Sequence, residues 1–368
     1  MALREVPANN RPPRAHEHLR RLLAGPPPWS HAMAASLLHA TSRGWRPERG
    51  GVWGLEGAYL EGVVWPGVDL AGARLSKADL TGADLRGADL RGAVARGARL
   101  GHALLAGARL QNFDATGADL RHADLSRVEA PRARLGEADL EGACLEGASL
   151  PDASLAGAVL TGANLTGADL SRAKFDGARL AGSDFTGANL KEAHLAGLHL
   201  CEGCFAGANF EEAGLDGCDL EYMELPAANF RNAQLSGAQL TGSRMPGADF
   251  EGACLAGARL AEVEWEGACL RDADLRGASF HMGSSRSGLV FSPIASEGTR
   301  TGFYTDDYEE QHYKSPEEVR KANLCGVDLR GAHLDGTDFY LVDLRGAQYS
   351  PSDAEHLRRC GAILGVRT

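Results

Sequence analysis

Every fifth residue from Leu55 to Phe280 belongs to one unbroken series, and a five-residue apolar period suits neither an α-helix nor a flat strand. The series has 46 members, of which 33 are Leu and 7 are Phe. Two residues before this central position stands Ala in 34 of the 46, and two residues after it stands Gly in 28. The stretch ADLTGADLRGADLRG at 78–92 shows the pattern at its cleanest. On a helix, steps of five would rotate the stripe by about 140° each time and spread it over every face. On a flat strand, an odd period would send successive Leu side chains to opposite faces. The chain must therefore turn once per repeat, so that each Ala-x-Leu pair points toward one axis.

The residues after each Leu agree with a turn there. A polar residue is followed by Gly, and twice the pair is Pro-Gly, at Pro66-Gly67 and Pro246-Gly247. A type II turn takes those residues at its two central positions. Where Pro precedes another residue, at Pro131-Arg132, Pro151-Asp152 and Pro226-Ala227, a type I turn is expected. Exceptions at the inward positions mostly conserve volume: Ala115 and Ala130 replace Leu where Phe113 and Val128 replace the paired Ala. Ala95, paired with Ala93, lacks this compensation, and a void or pinched coil is expected there.

The motif, A(D/N)LxG, resembles that of the pentapeptide-repeat family over Trp53–Phe280 and again over Ala322–Tyr349. The resemblance implies an all-β fold: a right-handed quadrilateral β-helix, a solenoid with four repeats per coil. A 20-residue period would stack Phe210, Phe230 and Phe250 on one side, and Trp65, Phe185, Phe205, Met245 and Trp265 on the next. A 15-residue period groups the same residues nearly as well. At about 4.8 Å per four-repeat coil, the 46 repeats would make a rod on the order of 55 Å long.

Composition suits a narrow, monotonous core, with 47 Gly and 6% aromatic residues in 368. The net charge of −11 is unevenly spread: +5 over residues 1–52, −13 over 53–280 and −3 over 281–368. An acidic repeat region disfavours direct binding to nucleic acid. The opening stretch MALREVPANNRPPR lacks the apolar run and cleavage site of a secretory signal. No apolar run is long enough to span a membrane. Cys144, Cys204, Cys254 and Cys269 fall in equivalent repeat slots, no two in adjacent coils, so a disulfide framework is not expected. A reducing, cytoplasmic location follows.

The expected organisation is a basic helical N-terminal cap (1–52), the β-helix (53–280), an inserted loop (281–321), resumed repeats (322–349) and a C-terminal helical cap (350–368). In the first segment, Arg14–Leu23 and Ser30–Thr41 read as helices separated by Gly25-Pro26-Pro27-Pro28. Leu19, Leu22, Leu23, Trp29, Met33, Leu37 and Leu38 give them an apolar side to cover the open first coil. The rival reading is a basic partner-binding segment with Arg11, Arg14, Arg20 and Arg21. In the insert, Ser315-Pro316 reads as a helix start. Ser350-Pro351 begins a last helix, through about Cys360, which serves as a cap or as a homodimer contact at the C-terminal end.

Signals for chemistry are weak. Cys201-Glu202-Gly203-Cys204 has CxxC spacing, but the repeat register explains both cysteines as outward slots, and no second pair follows. His312 near Asp306 and Asp307 reads as a solvated loop, and Ser284–Gly288 as a weak anion nest. The sequence contains no P-loop, GxGxxG, GxSxG or HExxH motif. No enzyme activity, cofactor or metal is expected.

Function is expected on the outer surface. One side of the 20-residue period gathers Asp84, Asp124, Glu146, Asp184, Glu224, Glu264 and Glu266 against Arg86 and Arg244. The insert offers a recognition loop with Arg286, Tyr304, Asp306, Asp307 and Tyr308, because Tyr-rich exposed loops suit protein recognition. These features point to a non-enzymatic scaffold for a protein partner, with no direct nucleic-acid or membrane contact. The resemblance implies an alternative. Some pentapeptide-repeat proteins bind DNA gyrase or topoisomerase IV as DNA mimics and protect against quinolones, which would make a type II topoisomerase the partner and antibiotic resistance the role.

Overall fold

The computed structural model describes residues 28–41, 47, 53–280 and 321–365. They divide into two compact units, one ending at Asn164 and the other beginning at Leu165. Both are built from the same five-residue step. The amide of Ala58 donates to the carbonyl of Leu55 at 3.1 Å, closing a β-turn, and the same bond recurs along both units. The second central residue of the turn, Gly57, has φ of 66°, as a type II turn requires. Single-residue parallel bridges then link Gly54 to Arg74, Tyr59 to Asp79, Val64 to Asp84 and Asp69 to Asp89. Each bridge joins positions four repeats apart, so four turns close a coil and the three-repeat alternative is excluded.

Three backbone bonds per repeat hold one coil on the next. The Leu55 amide donates to Arg74 O at 2.7 Å, the Arg74 amide to Trp53 O at 2.8 Å, and the Gly57 amide to Ser76 O at 3.0 Å. The third bond overturns the expectation of type I turns after Pro131, Pro151 and Pro226. Arg132, Asp152 and Ala227 have φ of 57°, 58° and 54°. The Arg132 and Ala227 amides donate to Pro151 O at 2.8 Å and Pro246 O at 2.9 Å in the next coil. A type I turn would reverse the peptide between its central residues and turn that N–H away. Left-handed backbone costs a non-Gly residue about 1–2 kcal/mol, whereas a buried backbone group left unpaired costs about 1–3 kcal/mol. Stacking wins over local preference.

The core is the file of inward pairs. Phe210 and Phe230 stack at 4.9 Å and 2°, and Phe230 and Phe250 at 4.9 Å and 3°. On the next side Phe185 and Phe205 stack at 4.7 Å. Ahead of Phe205 the usual Ala is reduced to Gly203, whereas Ser183 precedes Phe185 and Ser243 precedes Met245. Ser243 also accepts the indole N–H of Trp265 at 3.1 Å. Ala93 and Ala95 are both buried, and the bridge from Val94 to Asp114 places Phe113 on the same side one coil on.

Each unit carries one helix packed on its coils. Helix α1 (Pro28–Thr41) buries Ala34, Ala35 and Leu38, while Met33 and Leu37 are 63% and 45% exposed, so its apolar side is narrower than expected. In later coils an amide such as that of Asp79 donates to the coil before it, Ala58 O at 2.8 Å. Tyr59, in the first coil, donates instead to Ser36 Oγ at 2.9 Å. Likewise His39 Nε2 donates to the Glu61 carbonyl at 2.8 Å. The expected helix at Arg14–Leu23 lies outside the described residues. In the second unit, helix α2 (Asp353–Arg359) buries Ala354 and Leu357. It occupies a last coil period, for Ile363 bridges to Asp343 and its carbonyl accepts the Leu344 amide at 2.9 Å.

The repeats resume after the insert in coil register. Glu264 pairs with Asn323, Cys269 with Asp328, Asp274 with His333 and Ser279 with Asp338, so each pair that straddles the insert is matched as neighbouring coils are elsewhere. Phe280 stacks on Phe339 at 5.2 Å. The extra chain between Phe280 and Ala322 therefore leaves and rejoins the coil at one corner. The whole recognition loop lies outside the described residues, as do the candidate nest at Ser284–Gly288, His312 and the helix start at Ser315.

Deleting residues 281–319 restores the regular coil spacing and should leave a single cooperative melt by circular dichroism, since each coil contacts only its neighbours. Ala227→Gly relieves a left-handed non-Gly residue and should leave stability unchanged or raise it by up to about 1 kcal/mol in urea unfolding. Phe230→Ala opens the centre of an aromatic stack and should cost about 3–5 kcal/mol in the same assay.

Candidate functional surface

The outward side chains flank each central residue, and most have structural work of their own. An Asp or Asn before the Leu accepts the amide two residues on. Asp69 takes the Ala71 amide at 3.2 Å, Asp79 the Thr81 amide at 3.2 Å and Asn209 the Glu211 amide at 3.2 Å. Ser or Thr at the second position adds its hydroxyl, as Thr116 does to Asp114 at 2.7 Å. Arg adds a two-pronged contact, as Arg345 does to Asp343 through Nε at 2.9 Å and Nη2 at 2.6 Å. These Asx turns close the corner and explain why the motif carries D/N at that place.

Within each unit, most carboxylates of the expected acidic side are held by neighbouring groups. In the first unit Asp84 and Asp124 share a column through Leu104, which is 38% exposed between them. Asp84 holds Arg86 through Nε at 2.9 Å and Nη2 at 2.7 Å, and that contact depresses its pKa. Asp124 accepts Ser126 Oγ at 2.6 Å. In the second unit Asp184 accepts the Thr186 amide at 2.9 Å. Glu224, Arg244 and Glu264 follow one another up a column, and Arg244 grips both acids, Glu224 at 3.0 Å and Glu264 at 2.6 Å. Glu146 and Glu266 are exposed.

Another side of the second unit is knitted along its length. The side-chain amides of Asn189, Asn209 and Asn229 each donate one coil back, to Asp169, Asn189 and Asn209, at 3.0, 3.2 and 2.8 Å. Beside them Lys191 pairs with Glu211 at 2.8 Å, and Arg231 and Arg271 both hold Glu251, at 2.9 and 2.8 Å. The column arrangement alone does not give these pairings. The signal is an acid facing a base on the adjoining coil, and it becomes usable only once the period is known.

Cys201 and Cys204 are exposed, in the outward slots the register assigns. Cys218 fills an inward slot, where burial pushes its thiol up to about 11. No helix among the described residues is long and apolar enough to cross a membrane.

Asp343 is held down to about 2 by the Arg345 guanidinium, and Asp84, Asp274 and Asp328 are lowered by their own arginines. A depressed carboxylate contributes stability above its unfolded pKa of about 3.9, and that stability is lost as pH falls through the folded value. The melting temperature should therefore hold from neutral pH to about 5 and drop between about 4 and 2. In Asp343→Asn part of that drop should be missing, with a lower plateau at neutral pH.

Comparison with known proteins places this architecture. The profile for pentapeptide repeats matches in eight copies, over residues 55–92, 96–129, 133–172, 168–205, 213–252, 225–260, 253–282 and 319–348, more than half of the chain. No curated protein matches it. Among solved structures, HetL, a pentapeptide repeat protein involved in heterocyst differentiation regulation from the cyanobacterium Nostoc sp., is 36% identical. That match covers 56% of this chain and 88% of HetL, with a TM-score of 0.29. Full-length QnrB1, a plasmid-mediated fluoroquinolone resistance protein, is 15% identical over 80% of this chain and 97% of its own, with a TM-score of 0.26. Rfr23, a pentapeptide repeat protein from the cyanobacterium Cyanothece, is 26% identical over 34% and 87%, with a TM-score of 0.21.

Proposed function

The chain belongs to the pentapeptide-repeat family, whose members fold as right-handed β-helices, and on that premise we propose that it is a non-enzymatic scaffold for a protein partner. One observation carries the reading. Among the described residues, most inward positions of the repeats are filled by buried Ala, Leu and aromatic side chains, so specificity resides in outward side chains set at fixed intervals by the coil ladder. The insert, with Arg286, Tyr304, Asp306, Asp307 and Tyr308, is the proposed recognition element, and the acidic columns are a second contact surface. The cytoplasm is the proposed location, in keeping with eight cysteines and no expected disulfide framework.

Topoisomerase binding by DNA mimicry is the alternative, supported by Asp184, Glu224, Glu264 and Glu266 on one side of the second unit. Duplex DNA carries one charge per roughly 1.7 Å, whereas Arg244 neutralises part of this column and Arg86 neutralises Asp84. That pairing favours the scaffold over the mimic.

A supercoiling assay with DNA gyrase, with and without quinolone, separates the two. The scaffold reading expects no inhibition and no protection by excess protein at low salt. Inhibition that disappears in Glu224→Lys/Glu264→Lys and with rising salt would establish mimicry instead. In cross-linking from cell extract, the scaffold's partner should be lost on replacing Arg286, Tyr304 and Tyr308 with Ala, with melting unchanged.

A further inference from the structure

One corner of the second unit departs from the others. Among the described corners from 57 to 277, the second turn residue has positive φ at every place except Glu202. The Gly203 amide still closes a turn onto Leu200 O at 2.9 Å, but the Gly182 amide donates to Glu202 O at 3.0 Å in place of the carbonyl of Cys201. Gly203 stands where the repeat usually places Ala, and a Cβ there would come within 2.6 Å of Phe205 Cε2. That ring is committed to stacking on Phe185 at 4.7 Å.

The ladder fails on both sides of this corner. Toward the preceding coil, none of the usual bonds among the described residues joins Leu180 to His199 or His199 to Ala178, and no bridge links Arg179 to His199. Toward the following coil, Phe205 and Gly207 do not donate to Glu224 and Pro226, and no bridge links Cys204 to Glu224. The rungs between the two gaps are intact: the amides of Leu190, Leu195 and Phe210 each reach the next coil at 2.8 Å. A bulky pair borders each gap, Leu198 with Leu200 and Met223 with Leu225, all four buried, where the repeat usually sets Ala before Leu. Extra volume in a filled core is relieved by backbone shifts. The chain from Glu192 to Phe230 also holds eight acids and no Lys or Arg. No described ion pair spans either gap in the way that Arg231 reaches Glu251 on the next coil.

We propose that the corner at Leu200–Phe205 is a built-in joint, a local opening point at which coils of the second unit part while those before and after it stay folded. Stability in a repeat stack is roughly a sum over neighbouring interfaces, so a step short of rungs on two faces opens before the others. The joint gives a docking protein or a protease one place to enter an otherwise closed ladder. It is independent of the partner-binding reading.

Native-state hydrogen exchange on the full-length chain should show the amides of Leu180, His199, Phe205, Gly207 and Glu224 exchanging at least tenfold faster than those of Leu190, Leu195 and Phe210. A Glu-specific endopeptidase gives a second readout, because Glu192, Glu202 and Glu212 share one place in the turn. The Glu192 and Glu212 amides hold the next coil at 2.9 and 2.8 Å, so native cleavage should begin after Glu202. Leu198→Ala/Gly203→Ala/Phe205→Leu/Met223→Ala restores the motif and leaves Glu202 in place. In that variant, shown to be folded by circular dichroism, cleavage after Glu202 should fall at least tenfold. Uniform exchange, earlier cleavage after Glu192 or Glu212, or a folded variant still cut at the wild-type rate would each overturn the assignment. Should the variant fail to fold, the exchange pattern of the wild type decides alone.

Discussion

The structure depends on one backbone hydrogen bond, the one from the second residue of each corner to the coil that follows. It forces the peptide inside each turn into a single orientation, and the type II corner, the positive φ and the preference for Gly all follow from it. Tyr222 and Leu341 adopt that backbone as readily as Gly57 does. Their conformation is set by the stack and not by their own propensity. The bond also explains the side chains around it, since an Asx turn just before the corner pre-orders the same peptide.

Much of this was legible in the sequence because the constraint is periodic. Most inward positions and the exchange of Ala115 with Phe113 could be read from the five-residue register and are buried, while the stacking of Phe210, Phe230 and Phe250 needed the four-repeat coil that the family resemblance implied. The turns after Pro131, Pro151 and Pro226 were misjudged because propensity is local and the deciding bond comes from the neighbouring coil.

The surface was less legible than the core. Composition marks the repeats as acidic, yet Asp84, Asp274 and Asp328 each hold an arginine two residues on, and Arg244 spans two acids on different coils. Counting charges cannot separate a carboxylate that closes a turn from one that faces a partner. The register does so only in part: Asp84 and Glu224 occupy the same kind of slot, with side chains 13% and 70% exposed. Length of side chain decides, because Asp can reach its own corner amide and Glu extends past it.

The detour between Phe280 and Ala322 has a broader consequence. Its two ends are pinned by the ladder, Ser279 to Asp338 on one side and Glu264 to Asn323 on the other, whatever lies between them. For chain anchored this way, doubling its length adds only about 0.6 kcal/mol of closure entropy. A corner is thus a place where new sequence can be acquired without repacking anything inward. In a molecule with one such step in every repeat, novelty is cheap at the corners and nearly forbidden everywhere else.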